Sequence, residues 1–207
     1  MKDSKKLIVI TGGAGGIGQA CAKAFKNHSI ILTDYSKENV DEAVAKFSKE
    51  GFDVSGIACD ITDKNDIQKL TDYVAEKGRF KALVHTAGVS GTVKDIKKVY
   101  AIDLVATELL IDAFYELANT GSVAILLSSM MAHTVPENKE YDAALTNPQA
   151  SGSFETVAKF VNDIPTLCTI SLNGACNCSP IKTPINGEKK EPELYRSRPE
   201  LLNPQWR

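Results

Sequence analysis

The sequence predicts an α/β fold of the Rossmann type, a doubly wound parallel sheet with helices on both faces that is incomplete after its fifth strand. Short apolar runs such as residues 7–10 lack polar–apolar alternation and are typical of strands buried on both faces. These runs alternate with helical patterns, as parallel β-α-β units require. A glycine cluster at residues 11–18 joins the first run to the first helix. Together, these observations favour one parallel sheet.

The predicted strands and helices alternate up to residue 127. The strands are residues 7–10, 29–33, 54–58, 82–85 and 123–127. Apolar residues at helical spacing mark the helices between them: Ile17, Cys21 and Phe25; Val40, Val44 and Phe47; Ile67, Leu70 and Val74; and Val105, Leu109, Ala113, Phe114 and Leu117. In the first helix, Gly16, Ala20 and Ala24 lie beside the apolar face, where small residues permit close packing.

The chain changes character after the fifth strand. Residues 130–163 contain two prolines and one short predicted helix at 153–162, and an insertion of this size is more often a lid than a disordered loop. Residues 164–207 hold six of the eight prolines and three of the five cysteines. We therefore expect a domain at 1–163 with a lid-like insertion at 130–163, followed by an irregular tail at 164–207.

Composition excludes two classes of partner. The net charge of −2 lacks the basic footprint of a nucleic-acid-binding protein. No apolar run approaches the roughly 18 residues of a membrane span, and the charged start lacks a signal-peptide core. We therefore expect a cytoplasmic protein with neither nucleic acid nor membrane as partner.

The cysteines predict neither disulfides nor a metal site. An odd number of cysteines in a chain expected in the cytoplasm does not indicate a disulfide framework. Cys168, Cys176 and Cys178 lack a convincing fourth ligand, since all three histidines lie elsewhere in the sequence. His133 follows the fifth strand, where it either lines a pocket or lies on an exposed loop.

The glycine cluster predicts a phosphate-binding turn. Glycines let the backbone approach a ligand closely, and the N-terminus of the following helix offers unpaired N–H groups and the positive end of a dipole. The strand–turn–helix context that this motif requires is present. Asp34, at the end of the second strand, either accepts hydrogen bonds from an adenosine ribose or is an ordinary acid before the next helix. The first alternative favours NAD over NADP, because a carboxylate repels a 2′-phosphate.

The motif Thr11-Gly12-x-x-x-Gly16-x-Gly18 resembles the nucleotide motif of short-chain dehydrogenases/reductases. Cys59-Asp60-Ile61 resembles that family's adenine-contacting aspartate, and His85-Thr86-Ala87-Gly88 its Asn-Asn-Ala-Gly signature, with both asparagines replaced. The resemblance implies these cofactor-binding residues: Thr11, Gly12, Ala14, Gly16, Ile17, Gly18, Asp34, Asp60, Ile61, Ala87 and Gly88. The alternatives are a helix-capping Asp60 and a structural turn at Gly88. Because residue 15 is also glycine, the spacing fits the extended, epimerase-like branch too.

The catalytic residues that the resemblance implies are only partly present. Ser129 follows the fifth strand and resembles the family's catalytic serine, although a pair of strand-terminating serines is the alternative. Asp103 stands where the family usually has an asparagine, and an ionised aspartate cannot donate a hydrogen bond. The family's Tyr-x-x-x-Lys pair places a tyrosine and a lysine on one helix face. Tyr141 is followed four positions later by Leu145, and no other tyrosine before the tail has a lysine four positions later in a plausible place, so the pair is missing.

A shifted reading frame explains the missing pair. When the third base of each codon after residue 163 is read with the first two bases of the next, Cys168 followed by Thr169 permits only tyrosine or histidine. Leu172 followed by Asn173 permits lysine. The shifted frame thus permits a string containing Tyr-x-x-Ser-Lys, and further along it permits a Pro-Gly turn like that of the family. We therefore expect that the tail is out of frame.

The sequence leaves two main functional hypotheses and one weaker one. The first is an NAD-dependent oxidoreductase acting on a small-molecule alcohol or ketone, with a hydroxysteroid-like secondary alcohol as one substrate class and this chain inactive. The second is a non-catalytic NAD-binding protein. An epimerase-like extended member is disfavoured by chain length. Family members commonly pair through helices beside the fifth and sixth strands, and the second of these is missing, which weakens the expectation of a homo-oligomer.

Overall fold

A computed structural model describes residues 6–89, 93–129, 138–163 and 193–195. Its centre is a parallel sheet in the order β3-β2-β1-β4-β5-β6. The strands are β1 (Lys6–Thr11), β2 (Ser29–Asp34), β3 (Val54–Ala58), β4 (Arg79–His85), β5 (Val123–Leu126) and β6 (Glu193–Tyr195). The predicted Rossmann-type fold is confirmed for the first five strands. The short β6 comes from the segment that was expected to be irregular.

Seven α-helices and one π-helical turn accompany the described part of this sheet. They are α1 (Gly16–Ala24), α2 (Lys37–Lys49), α3 (Lys64–Lys77), α4 (Ile96–Tyr100), the π-helical turn Ala101–Val105, α5 (Ala106–Leu117), α6 (Lys139–Thr146) and α7 (Ser153–Asp163). Side-chain caps fix several starts: Ser36 accepts a hydrogen bond from Asn39 N–H, and Asp63 accepts one from Asn65 N–H. None of the helices in this part of the chain is long and apolar enough to cross a membrane.

Two apolar layers cover the sheet. On one face, β1 and β2 present Ile8, Ile10, Ile30 and Leu32 to α1 and α2. On the other face, α3 and α5 pack against the alternate residues of the same strands. Because both faces are covered, β1 carries an almost continuous run of buried side chains, as the sequence predicted.

Helix α1 buries only part of the face that the apolar spacing indicated. Its buried residues are Gly18 and Ala22, whereas Ile17 is 59% exposed and Cys21 is half-buried. A Cβ at residue 18 would lie 2.2 Å from Gly12 O, so the close approach of α1 to the glycine turn decides which face is inside. Gly18 and Ala22 are therefore the most buried residues of α1, with Cys21 partly buried beside them.

The described part of the insertion, residues 138–163, forms α6 and α7, which pack against α4. Their shared core contains Val99, Tyr100, Leu104, Tyr141, Ala144, Leu145, Val157 and Val161. Tyr100 donates a hydrogen bond to Pro148 O at 2.8 Å, and its ring lies 5.4 Å from that of Phe154. This part of the predicted lid is therefore a small packed layer on α4. His133, Cys168, Cys176 and Cys178 lie outside the described residues.

Candidate dinucleotide-binding site

The carboxyl ends of β1 to β4 surround a cavity of about 540 Å³. Open parallel sheets bind ligands at this edge. The wall consists of Gly12, Gly15, Thr33, Asp34, Tyr35, Cys59, Asp60, Ile61, Thr62, Thr86, Ala87, Gly88, Val89, Lys98, Ala101 and Ile102. The described His, Cys, Asp and Glu side chains form no cluster that could hold a metal ion.

The glycine turn after β1 leaves no room for a side chain at residue 12. Gly12 has a φ of +66°, and a Cβ there would lie 2.6 Å from Ala87 N. At Gly16, by contrast, nothing lies within 4 Å of the position of a Cβ. The first turn of α1 thus faces free space, and its N–H groups lack partners within the helix. This arrangement fits a phosphate group.

The end of β2 places a carboxylate on the cavity wall. Asp34 Oδ1 accepts a hydrogen bond from Tyr35 N–H at 2.9 Å, which leaves the rest of the carboxylate available to a ligand. Gly13 N–H donates to Thr33 O at 2.9 Å and so ties the glycine turn to β2. Asp34 therefore lies beside the glycine turn.

Asp60 lines the cavity and does not cap α3. Its Oδ1 accepts hydrogen bonds from Thr62 N–H at 2.9 Å and from Thr62 Oγ1 at 2.7 Å, which forms a local turn. The capping alternative is wrong, because Asp63 caps the helix. Next to this turn, burial raises the pKa of the Cys59 thiol to about 12, so this cysteine is an unreactive part of the wall.

Loop 86–89 forms the opposite wall and rests on buried polar contacts. Thr86 donates from N–H and from Oγ1 to Thr11 O, at 3.0 and 2.7 Å. Beneath the loop, the His85 ring bridges Thr11 Oγ1 at 2.6 Å and Thr107 Oγ1 at 3.0 Å. Complete burial lowers the pKa of His85 to about 4, so the ring is neutral and joins β1, β4 and α5 without a charge.

Asp103 lies in the π-helical turn and is only 3% exposed. Its Oδ1 accepts a hydrogen bond from Val89 N–H at 2.8 Å, while Oδ2 is buried without a hydrogen-bond partner among the described residues. Burial raises the pKa of this carboxyl group to about 6, against the lowering effect of the Val89 N–H. The side chain therefore holds loop 86–89, and its pKa of about 6 lies near neutral pH.

The predicted catalytic Ser129, and Tyr141, which lacks the lysine of the family's pair, do not line this cavity. Ser129 is half-buried, three residues past the end of β5 and so at the same edge of the sheet. Tyr141 is 2% exposed and stacks on Phe160 with ring centroids 4.3 Å apart, and Leu145 is 3% exposed. These two residues belong to the core between α6, α7 and α4, which removes Tyr141 as a surface proton donor.

The structure brings part of the predicted cofactor set together around one cavity. Gly12, Asp34, Asp60, Ile61, Ala87 and Gly88 line the cavity, whereas Thr11, Ala14, Gly16, Ile17 and Gly18 do not. Thr11 is buried beneath the wall, and Gly18 lets α1 approach the turn. Lys98, Ala101 and Ile102 were not predicted. Their helical spacing is the only sequence signal that could have placed them together.

Comparison with known proteins identifies the family. The sequence model described as short chain dehydrogenase matches residues 6–145. The chain belongs to this family. Meso-2,3-butanediol dehydrogenase of Serratia marcescens is 30% identical over 114 residues, which cover 50% of this chain and 45% of that protein. This short-chain dehydrogenase chain spans about half the length of the curated relatives it matches.

Solved structures share the fold, a short-chain dehydrogenase among them. One from Burkholderia phymatum in complex with NAD gives a TM-score of 0.57 at 18% identity, covering 79% of this chain and 60% of that one. A blue fluorescent protein from a metagenomic library, in complex with NADPH, gives 0.54 at 24% identity, covering 62% and 57%. At these identities the likeness concerns the fold alone, and proteins of this fold hold either dinucleotide.

Proposed function

We propose that this chain binds NAD in the cavity at the carboxyl ends of β1 to β4. The observation that carries the proposal is the presence of Asp34 on the same wall as Gly12 and Asp60. A carboxylate there accepts hydrogen bonds from two ribose hydroxyls and repels the additional phosphate of NADP. The open first turn of α1 would hold the pyrophosphate, since its N–H groups and dipole favour an anion.

Replacing Asp34 tests this choice of cofactor. Hydrogen bonds to a charged group contribute about 1.5–3 kcal/mol, so Asp34→Asn weakens NADH binding by about 10- to 100-fold. The same variant binds NADPH more tightly than the wild type does, because the repulsion is gone. The measurement is a fluorescence titration with both dinucleotides, with the surface variant Asp72→Asn as a control. Unchanged preference for NADH in Asp34→Asn would mean that another residue selects the cofactor.

For the whole protein, we propose an NAD-dependent oxidoreductase that acts on an alcohol or a ketone, with a hydroxysteroid-like secondary alcohol as a candidate substrate. The residues of the cavity would hold NAD, which would supply or accept the hydride. Ser129 lies at the sheet edge where it can hydrogen-bond the substrate oxygen. The alcohol class is supported by the likeness to a 2,3-butanediol dehydrogenase.

We further propose that the reading frame of the gene shifts near codon 163. The family match ends at residue 145, and the shifted frame after residue 163 permits the Tyr-x-x-Ser-Lys that this frame lacks. Determining the bases of codons 160–175 tests this directly. A stop codon between the tyrosine and lysine positions of the shifted frame would contradict it.

The second candidate is a non-catalytic dinucleotide-binding protein. The buried Tyr141 with Leu145 four positions later favours it for this chain as translated, since the described residues contain no Tyr-x-x-x-Lys pair at the cavity. NADH titration followed by assays on a ketone panel separates the candidates. Binding without turnover supports the second candidate, and turnover by the purified chain would exclude it.

A further inference from the structure

Asp103 links the dinucleotide cavity to the helix behind it. Its Oδ1 accepts from Val89 N–H, and it also lies 3.3 Å from the position that a Cβ on Gly88 would occupy. Both loop residues line the cavity, as do Ala101 and Ile102, which directly precede Asp103 in the π-helical turn. One side chain therefore holds one wall of the cavity from behind.

The loop that Asp103 holds abuts the phosphate-binding turn. Ala87 N is the atom that a Cβ on Gly12 would strike, and Thr86 donates to Thr11 O. On its other side, Asp103 O accepts a hydrogen bond from Thr107 Oγ1, which also contacts His85. The hydrogen bond from Val89 N–H and the contacts of loop 86–89 with the glycine turn therefore connect the Asp103 carboxyl group to that turn. A change in the protonation of Asp103 can thus affect the turn.

The environment of the second carboxyl oxygen, Oδ2, disfavours the ionised form of Asp103. Oδ2 is buried without a hydrogen-bond partner among the described residues, so the ionised form places a charge in the interior with one hydrogen bond to support it. The protonated form removes that charge and leaves Oδ1 in contact with Val89 N–H. An anionic ligand in the adjoining cavity penalises only the ionised form.

We propose that Asp103 is a positioning residue of the dinucleotide cavity and that it takes up a proton from the buffer when NADH binds. This inference rests on the proposed function. The dinucleotide displaces water from the cavity and brings two phosphate charges, and both effects favour the neutral carboxyl group. By linkage, a ligand that favours the protonated form binds more tightly as the pH falls.

Other ionisable groups around Asp103 affect this linkage in distinguishable ways. His85 on β4 and Cys59 after β3 are both uncharged near neutral pH. Asp34, Asp60 and Lys98 line the cavity on β2, after β3 and on α4, while Glu108 follows on α5. Their contributions are present in every variant that retains them. The contribution of Asp103 is therefore the difference between the wild type and a variant changed only at residue 103.

The experiment is calorimetric titration of the full chain with NADH in buffers of different ionisation enthalpy. If binding raises the pKa of Asp103 by about one unit, the wild type takes up about 0.4 protons at pH 7 and binds up to about tenfold more weakly at pH 8 than at pH 5. Asp103→Asn keeps the acceptor for Val89 N–H and loses this uptake. Asp72→Asn, an exposed carboxylate on α3, behaves like the wild type.

Three outcomes overturn the inference, and they are distinguishable. If the wild type does not bind NADH at any pH, the proposed function fails with it. If the wild type binds and Asp103→Asn takes up as many protons, only the role of Asp103 fails. Should Asp103→Asn not fold, infrared difference spectra of wild-type chain with ¹³C-labelled aspartate replace it: NADH must produce a protonated-carboxyl band, and its absence contradicts the inference.

Discussion

At the scale of single residues, two buried ionisable side chains oppose each other in the pH dependence of stability. His85 has a pKa of about 4 in the folded chain and about 6.5 when exposed. Unfolded chains therefore bind a proton that folded chains do not between these values. The His85 contribution is complete above pH 6.5 and is lost as the pH falls towards 4, by up to about 3 kcal/mol.

Asp103 acts in the opposite direction. Its pKa is about 6 in the folded chain and 3.8 for the ordinary carboxyl group, so the folded chain binds the additional proton in this interval. Its contribution to stability is complete below pH 3.8 and is lost as the pH rises through 6. Between about pH 4 and 6 the two residues largely cancel in the wild type.

Single variants should separate these contributions. We expect the free energy of unfolding of Asp103→Asn to rise between pH 4.5 and 6.5 more steeply than that of the wild type, because His85 acts alone. We expect the free energy of unfolding of His85→Asn to rise less than that of the wild type over the same pH range, or to fall, because Asp103 acts alone. Urea unfolding followed by circular dichroism measures both, with Asp72→Asn as the control. Deviations of the same sign in both variants would refute this account.

The sequence predicts best those site residues whose place is fixed relative to the end of a strand. Gly12 and Asp34 lie at fixed places relative to the ends of β1 and β2, so strand–turn–helix spacing places them. Asp103 was recognised only as a departure from the family pattern. Its burial and its bond to Val89 depend on how a helix packs over a distant loop, and no local pattern carries that information.

At the scale of secondary structure, the strands and main helices followed from periodicity, while α4 and α6 did not. Helix α6 spans eight residues, Lys139–Thr146, too few for a clear apolar period. Its start is signalled only by Asn138, whose side chain accepts from Glu140 N–H and Tyr141 N–H. The π-helical turn lies within a longer helical pattern, and nothing in that pattern distinguishes it.

The packing of α6 predicts the result of placing a lysine four positions after Tyr141, as in the family's Tyr-x-x-x-Lys pair. Leu145→Lys creates Tyr-x-x-x-Lys from Tyr141, but both positions are buried in the α6–α7–α4 core. We expect a loss of about 3 kcal/mol or more in the free energy of unfolding, because a lysine there is buried without a partner, and no turnover of ketones.

The matched control for this change is Ala143→Lys, at an exposed position of the same helix. It should alter stability by no more than about 0.5 kcal/mol. Thermal unfolding and an NADH-consumption assay measure the two effects. A folded Leu145→Lys chain that reduces a ketone would show that Tyr141 can reach substrate and that the core assignment is wrong.

At the scale of the whole molecule, one side of the sheet is poorly covered among the described residues. The interior of β1 is almost fully buried, whereas Ile125 in β5 and Leu127 just after it are 37% and 38% exposed. An apolar groove between β5 and α5, lined by Ile111, Phe114 and Val123, lies beside them. A buried parallel strand normally has helices over both faces, so the exposed apolar side chains of β5 mark a weak point of this fold.

Restoring the proposed frame should therefore change stability and activity together. Inserting one base near codon 163 of the gene gives this restored chain. We expect it to unfold at a higher temperature and to protect the β5 amides from hydrogen exchange, because more of the apolar surface of β5 is covered. We also expect ketone turnover, since the shifted frame supplies the tyrosine and lysine for proton transfer.

The matched control is the same restored chain with phenylalanine in place of that tyrosine. It should keep the added stability and lose turnover by a factor of about 100 or more, the size of a general acid–base contribution. Thermal unfolding, hydrogen exchange and NADH consumption read out the three effects. Added stability without turnover would place the proton donor elsewhere. If the restored chain gains neither stability nor turnover, the proposed frameshift is wrong. The chain as given then supplies the neighbour of β5 itself, because its Glu193–Tyr195 already pairs with that strand.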